Sequence, residues 1–167
     1  IEFTIEVPKK DVAVNTDAIT FGTLRGGNYW TERPGLEPVE IIADPTGGAV
    51  VTGIELLDDS FFSLSDNIDL TADPITFNVY CGDAKSASAG DKSTSVRITY
   101  DGGETKDIAV SATVYTPAQG DVMELAKEIT FAADGSYTDN VTGMHDDYIL
   151  PGEENDGNAP DAVYTFT

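Results

Sequence analysis

The sequence is poor in the residues that build disulfides, metal clusters and catalytic triads. Its 167 residues contain one cysteine, Cys81, and one histidine, His145. An internal disulfide and a zinc site of cysteines and histidines are therefore excluded, because each needs at least two such residues. Basic residues are also scarce, since nine stand against 30 acidic residues and the formal net charge is −21. Such a chain offers no basic patch for nucleic acid or for an anionic membrane surface.

Long apolar runs and catalytic motifs are missing as well. No run approaches the roughly 18 apolar residues that a membrane span requires, so direct membrane insertion is not expected. No signal peptide is present, and a secreted protein would already have lost it. His145 stands beside Asp146 and Asp147, but no G-x-S-x-G or comparable turn supplies a nucleophile. We therefore expect a loop histidine and no enzyme.

The sequence does contain many segments in which apolar and polar residues alternate with the period of a β-strand. The clearest hairpin joins two such segments through Asp101-Gly102-Gly103. Helical spacing is confined to 120–129, where one turn of helix in a linker is expected. The fold class predicted from these short strands is all-β, an antiparallel immunoglobulin-like β-sandwich. The predicted strands cover 1–7, 18–24, 38–43, 49–57, 60–65, 75–81, 93–100 and 106–115.

The chain changes composition after residue 116. Residues 1–116 hold 19 acidic and 8 basic residues, whereas residues 117–167 hold 11 acidic residues and only Lys127 as a base. The linker 116–120, TPAQG, has the proline and glycine content of a domain boundary. We therefore expect an N-terminal strand at 1–10, an immunoglobulin-like sandwich at 11–116 and an acidic β segment at 117–167.

Residues 18–115 resemble the immunoglobulin-like modules of the abnormal-spindle/hydin type that are common in bacterial surface proteins. The resemblance rests on an opening "ITFGTL", a middle "VVTGIELLDDSFFSLS", a later "ITFNVYC" and a closing pair "STSVRITYDGG" and "IAVSATV". It implies an immunoglobulin-like sandwich for this part of the chain.

Residues 128–167 are similar to the first half of bacterial pre-peptidase C-terminal domains. The matching residues follow the family's order: Ile129-Thr130-Phe131, Tyr137-Thr138-Asp139, Gly143, Asp146-Asp147-Tyr148 and the closing APDAVYTFT. The resemblance implies a jelly-roll-like β-sandwich of the kind appended to secreted proteins. Because the match stops about halfway, the tail is expected to be a second, smaller and incomplete β-sandwich. The closing strands of such domains tend to read like "IEFTIEV", the first seven residues of this chain.

The first seven residues are therefore a candidate donor strand. An incomplete sandwich exposes an unpaired apolar edge that recruits another strand. If a neighbouring molecule supplies the strand, donor and acceptor lie at opposite ends of the chain and the contact propagates head-to-tail. Two alternatives stay open: residues 1–7 form an edge strand of their own sandwich, or they return to the tail of the same molecule. The predicted assembly residues are Ile1, Phe3, Ile5 and Val7 in the donor and Val163, Tyr164 and Phe166 in the acceptor.

Three loops carry candidate binding residues. An acidic loop offers calcium the hard oxygen ligands that it prefers, although a solvated loop is the alternative. The pair Tyr29 and Trp30 could stack on a sugar or anchor a partner, or could cover the end of the core. Asn140 begins the glycosylation sequon NVT. The candidate calcium ligands are Asp146, Asp147, Glu153, Asn155 and Asp156.

Together these patterns predict a non-catalytic structural or adhesive protein that is secreted or lies on the cell surface. Its partners would be copies of itself in a head-to-tail filament, with glycans as further ligands and Ca²⁺ as the one candidate cofactor. The alternative is an accessory glycan- or protein-binding module of a larger secreted hydrolase.

Overall fold

The structure, a computed structural model, describes residues 8–27, 37–121, 125–129, 132, 135 and 164–165. Their regular secondary structure is almost entirely β-strand. Eight strands lie between residues 11 and 115: β1 Asp11–Val14, β2 Ala18–Arg25, β3 Val39–Thr46, β4 Val51–Leu56, β5 Phe62–Leu64, β6 Ile75–Cys81, β7 Gly90–Tyr100 and β8 Glu104–Tyr115. Two short strands follow, β9 Lys127–Glu128 and β10 Tyr164–Thr165. Among the described residues, no helix has the length and apolar character needed to cross a bilayer.

Alternating burial explains why these segments form strands. In β6, Ile75, Phe77 and Val79 are buried, whereas Thr76 and Tyr80 are exposed and Asn78 is half-buried. Successive side chains of a strand point to opposite faces, so this pattern places one face of β6 in a core. Every predicted strand from 18 to 115 coincides with an observed one, so these strands are confirmed, although their ends differ by up to three residues. The predicted hairpin is confirmed too, with residues 101–103 between β7 and β8.

Two local features differ from expectation. The strand β1 was not predicted, because its four residues, Asp11–Val14, are too few to show a period-two pattern in the sequence. Cys81 shares the apolar phase of Ile75, Phe77 and Val79, which predicts a buried side chain, but it is only half-buried at the end of β6. Within 120–129, where one turn of helix is expected, Leu125 has 3₁₀ geometry and β9 begins at Lys127.

The eight strands from 11 to 115 form two four-stranded sheets, in the orders β1-β3-β6-β5 and β2-β8-β7-β4. This is the immunoglobulin strand order, ABED on one sheet and GFC on the other, with the first strand divided between them. The pairings β1–β3, β3–β6, β5–β6 and β4–β7 are antiparallel. The all-β antiparallel sandwich is therefore confirmed.

The first strand changes sheets at Asn15. Its backbone N–H donates to the Ile42 carbonyl (3.2 Å), and its side-chain amide bonds the Glu40 carbonyl (3.1 Å) and the Ile42 N–H (3.0 Å). These bonds end the pairing of β1 with β3. The chain then joins β8, since the Ala109 N–H bonds the Asp17 carbonyl (3.1 Å) just before β2 begins.

The core lies between the two sheets. Its fully buried aliphatic side chains come from both, including Ile41 and Ile75 from one sheet and Ile98 and Ile108 from the other. Burying one such side chain contributes about 1.5–3 kcal/mol. An aromatic contact adds to this core, because the Phe21 and Phe62 rings stack with centroids 6.0 Å apart.

The chain divides into two compact units. Of the described residues, the first unit contains 8–23, 37–83 and 91–113. The second contains 24–27, 84–90 and the described residues from 114 onward.

Candidate assembly site

The residues that precede β1 are held tightly on the sandwich. Gly47 has a φ of +63°, and its backbone lies so close to the Lys9 carbonyl that a Cβ there would overlap it. The Lys10 ammonium is 3.1 Å from Oδ1 of Asp101 in the β7–β8 turn. We call this group of contacts, formed by Lys9, Lys10, Gly47 and Asp101, the N-terminal junction. It fixes where the chain enters the sandwich.

Asp101, in the β7–β8 turn, is hydrogen-bonded to Val50 in the β3–β4 turn, which also contains Gly47. The backbone N–H of Asp101 donates to the Val50 carbonyl (3.0 Å), and the Val50 N–H donates back to Oδ1 of Asp101 (3.2 Å). Its Oδ2 is buried and has no hydrogen-bond partner among the described residues. A carboxylate in that situation is costly unless a cation compensates its charge. Lys10 supplies that cation.

Asp11, the first residue of β1, is fixed as an anion. Its Oδ1 accepts the Val12 N–H (2.8 Å) and the Tyr100 hydroxyl (3.2 Å), and Lys9 Nζ lies 3.9 Å from Oδ2. The bond from Val12, and then that from Tyr100, lower the pKa of Asp11. Burial, and then the bond to Asp11, raise the pKa of Tyr100. Both groups therefore keep this hydrogen bond across neutral pH.

The described part of the tail contains one small sheet. Its strands β9 and β10 are parallel, with Tyr164 opposite Lys127 and Thr165 opposite Glu128. The Ile129 N–H donates to the Thr165 carbonyl (3.2 Å) and extends the pairing. Tyr164, a predicted acceptor residue, is half-buried in this sheet. The tail therefore has β-structure where the acceptor was predicted.

Most of the predicted site residues lie outside the described residues, and their roles stay predictions. Among the described residues, no group of three or more His, Cys, Asp or Glu side chains could hold a metal ion. The predicted residues outside the described ranges are Ile1, Phe3, Ile5, Val7, Tyr29, Trp30, Asn140, Asp146, Asp147, Glu153, Asn155, Asp156, Val163 and Phe166.

Sequence reasoning missed the N-terminal junction. The turn around Asp101 predicted a hairpin, and nothing in that pattern shows that its carboxylate meets Lys10, 91 residues earlier. Two signals were available: lysines are rare in this chain, and Lys9 and Lys10 stand together before the first strand of the sandwich.

The chain was compared with protein-family models and with curated proteins. No family model matches the sequence, and no curated protein matches it either. The two family resemblances therefore stay predictions.

Proposed function

We propose that the protein is a non-catalytic structural or adhesive protein of the cell exterior, a filament subunit that assembles head-to-tail by β-strand complementation. The observation that carries this proposal is the N-terminal junction. It holds the chain on the sandwich at Lys9 and Lys10. Just before them lies the segment 1–7, in which apolar and polar residues alternate as in a strand with one apolar face. Eight strands that begin only at residue 11 already enclose a core. The proposal assigns the apolar face of residues 1–7 to a second sandwich.

In the proposed contact, residues 1–7 of one molecule add a strand to the tail of the next. Backbone hydrogen bonds supply affinity, and alternate side chains enter the acceptor to supply specificity. Burying the four apolar side chains Ile1, Phe3, Ile5 and Val7 contributes roughly 6–12 kcal/mol at about 1.5–3 kcal/mol each. Association costs about 4–15 kcal/mol in lost freedom. Because the two ranges overlap, a junction that orients the donor strand in advance helps to decide whether assembly occurs.

The proposed contact joins two different surfaces, so it leaves one donor and one acceptor unused at the ends of every chain of subunits. Such a heterologous contact grows into a filament unless its rotation closes a ring. The formal charge of −21 on each subunit opposes close approach. Filament formation should therefore strengthen as salt screens that repulsion.

Negative-stain microscopy and light scattering of the full chain test the proposal. The double substitution Phe3→Glu and Ile5→Glu places charges on the apolar face of the donor and should abolish filaments. The matched control is the substitution Thr4→Glu, which adds a charge to the opposite face of the same segment and should leave filaments intact.

Three results would contradict the proposal. One is a wild-type protein that stays monomeric at high concentration and moderate salt. Another is a double variant that still forms filaments. The third is a double variant that unfolds at a much lower temperature than the Thr4→Glu control while both are monomeric, which would place residues 1–7 in their own sandwich.

A further inference from the structure

A second feature of the first unit is a pocket of about 200 Å³ between the β4–β5 connection and the start of β7. It lies wholly within one unit and shares no residue with the N-terminal junction. Its walls combine carboxylates, hydroxyls, an ammonium group and an aromatic ring. The connection contributes Asp58, Ser60 and Phe61, and β7 contributes Asp91, Lys92 and Ser93.

The connection that forms one wall of this pocket is held to β7 by two hydrogen bonds, one to a backbone carbonyl and one to a side-chain hydroxyl. The Leu57 N–H donates to the Ser95 carbonyl (3.0 Å), and the Asp58 N–H donates to Oγ1 of Thr94 (2.9 Å). The Ser60 N–H then donates to Oδ1 of Asp58 (2.9 Å) and closes a turn. This wall is therefore set before any ligand arrives.

The aromatic ring of the pocket is positioned by the core. Phe61 packs edge-on against Phe62, with ring centroids 5.1 Å apart, and Phe62 is only 3% exposed. The Phe61 carbonyl lies against Gly82, where a Cβ would overlap it. Lys92 Nζ is 5.8 Å from the centroid of the Phe61 ring, which places a hydrogen-bond donor next to an apolar surface.

The two carboxylates of the pocket are hydrogen-bond acceptors in fixed positions. The hydrogen bonds from the backbone and then the hydroxyl of Ser60 lower the pKa of Asp58. Asp91 accepts the Thr113 hydroxyl at 2.8 Å. One acceptor therefore stands in the connection and another in β7, each held by its own partner.

We infer that this pocket binds one ring of a neutral saccharide. A sugar ring carries hydroxyls that donate to carboxylates and accept from an ammonium group, and C–H faces that pack on an aromatic ring. A volume of about 200 Å³ is below the roughly 300–1,000 Å³ of sites for drug-sized ligands and suits one such ring. An anionic ligand fits poorly, because two carboxylates outnumber the single ammonium. This inference does not rest on the proposed assembly.

NMR of the isotopically labelled full chain tests the pocket directly. The probes are the methyl glycosides of glucose, mannose and galactose, together with N-acetylglucosamine. For a ligand of this size we expect dissociation constants on the order of millimolar. At least one probe should shift the amide signals of residues 58–62 and 91–93 in a saturable way, while those of the N-terminal junction stay unchanged.

Two variants and one control make the assignment specific. Asp91→Asn keeps an acceptor for Thr113 but removes the charge, and Phe61→Leu keeps an apolar side chain but removes the ring. Each should weaken binding of the responding probe about tenfold, the lower end of the discrimination that one lost contact gives in a small site. The control Asp66→Asn removes a carboxylate that does not line the pocket and should leave binding unchanged.

Some outcomes would overturn the inference. No saturable shift with any of the four probes is one, and shifts that map to residues elsewhere are another. Equal binding by Asp91→Asn, Phe61→Leu and the control is a third. A response to Ca²⁺ at these amides in the absence of any sugar response would assign the carboxylates to a cation instead. Binding that persists in a variant that no longer forms filaments supports the inference and separates it from the assembly proposal.

Discussion

Gly47→Ala is expected to destabilise the sandwich more than Gly48→Ala, although the two glycines are adjacent in one turn and both have positive φ. The angles are +63° for Gly47 and +77° for Gly48. A Cβ at Gly48 would meet nothing within 4 Å, whereas a Cβ at Gly47 would overlap the Lys9 carbonyl. The pair therefore separates backbone strain, which both substitutions share, from the contact that holds the N-terminal junction.

The expected magnitudes follow from these two contributions. An alanine in the left-handed region costs about 1–2 kcal/mol, and the loss of chain freedom in the unfolded state offsets about 0.4–1 kcal/mol of this. Gly48→Ala should therefore cost about 1 kcal/mol. In Gly47→Ala the chain at Lys9 must also shift, which disturbs the hydrogen bond from the Thr46 hydroxyl to the Asp11 carbonyl (3.2 Å). We expect a total of about 3 kcal/mol: about 1 kcal/mol of the shared strain, about 1 kcal/mol for that bond and about 1 kcal/mol for backbone displacement.

Urea unfolding followed by circular dichroism measures both free energies of unfolding, provided that the m-value stays unchanged. Amide signals of Lys9 to Val12 should shift in Gly47→Ala and stay in place in Gly48→Ala. If residues 1–7 act as the proposed donor strand, Gly47→Ala should also form fewer filaments than Gly48→Ala, because it disturbs the junction next to that segment. Equal destabilisation by the two substitutions, within about 0.5 kcal/mol, would refute the idea that Gly47 fixes the junction.

Three further predictions concern the sandwich alone. Ile98→Ala should cost about 2–5 kcal/mol in a thermal or urea melt, since Ile98 is fully buried, whereas Val50→Ala, at a side chain 61% exposed, should change stability by less than about 0.5 kcal/mol. The hydrogen bond and then the charge of Arg97, whose Nη2 is 2.7 Å from Oδ2 of Asp107, keep the pKa of Asp107 below its ordinary value. The pair therefore contributes to the free energy of unfolding above about pH 4, and this contribution is lost as the pH falls through the lowered pKa. Asp107→Asn should accordingly cost less than about 1 kcal/mol at pH 7, because both groups are partly exposed, and nothing once the pH is low enough to protonate Asp107. Burial raises the pKa of Cys81, so its thiol should react with a disulfide reagent at pH 8 more slowly than the same thiol in urea.

The strands were predictable because their evidence is local. In β6 and β8 the alternation of apolar residues is long, and one buried face of a sheet imposes that alternation directly. The hairpin turn was predictable for the same reason, since aspartate and glycine are the residues that tolerate positive φ in short turns. All three of Asp101, Gly102 and Gly103 have positive φ. A four-residue strand such as β1 offers too few positions for the same signal.

The sites were harder to predict because their residues are distant in sequence. The N-terminal junction joins Lys10 to Asp101, and the pocket joins Phe61 to Lys92. Each pairing follows from the order of strands in the sheets, which alternation of apolar residues does not specify. The residues predicted for the donor strand and for the acidic loop lie outside the described residues, so their roles stay predictions.

The N-terminal junction and the pocket lie at opposite ends of β7, so substitutions in the two places should act independently. Asp91 is near the start of the strand and Asp101 follows its end, ten residues later. At about 3.3 Å per residue, the two carboxylates are about 33 Å apart. Substitutions separated by more than about 10 Å without shared partners usually add within about 0.5 kcal/mol. The double variant Gly47→Ala and Asp91→Asn should therefore lose the sum of the two single effects in a urea melt, and it should bind the responding sugar as weakly as Asp91→Asn alone. A coupling above about 1 kcal/mol, or sugar binding that Gly47→Ala itself weakens, would show that one site acts on the other through the sandwich. The donor strand and the pocket would then have to be treated as parts of a single site.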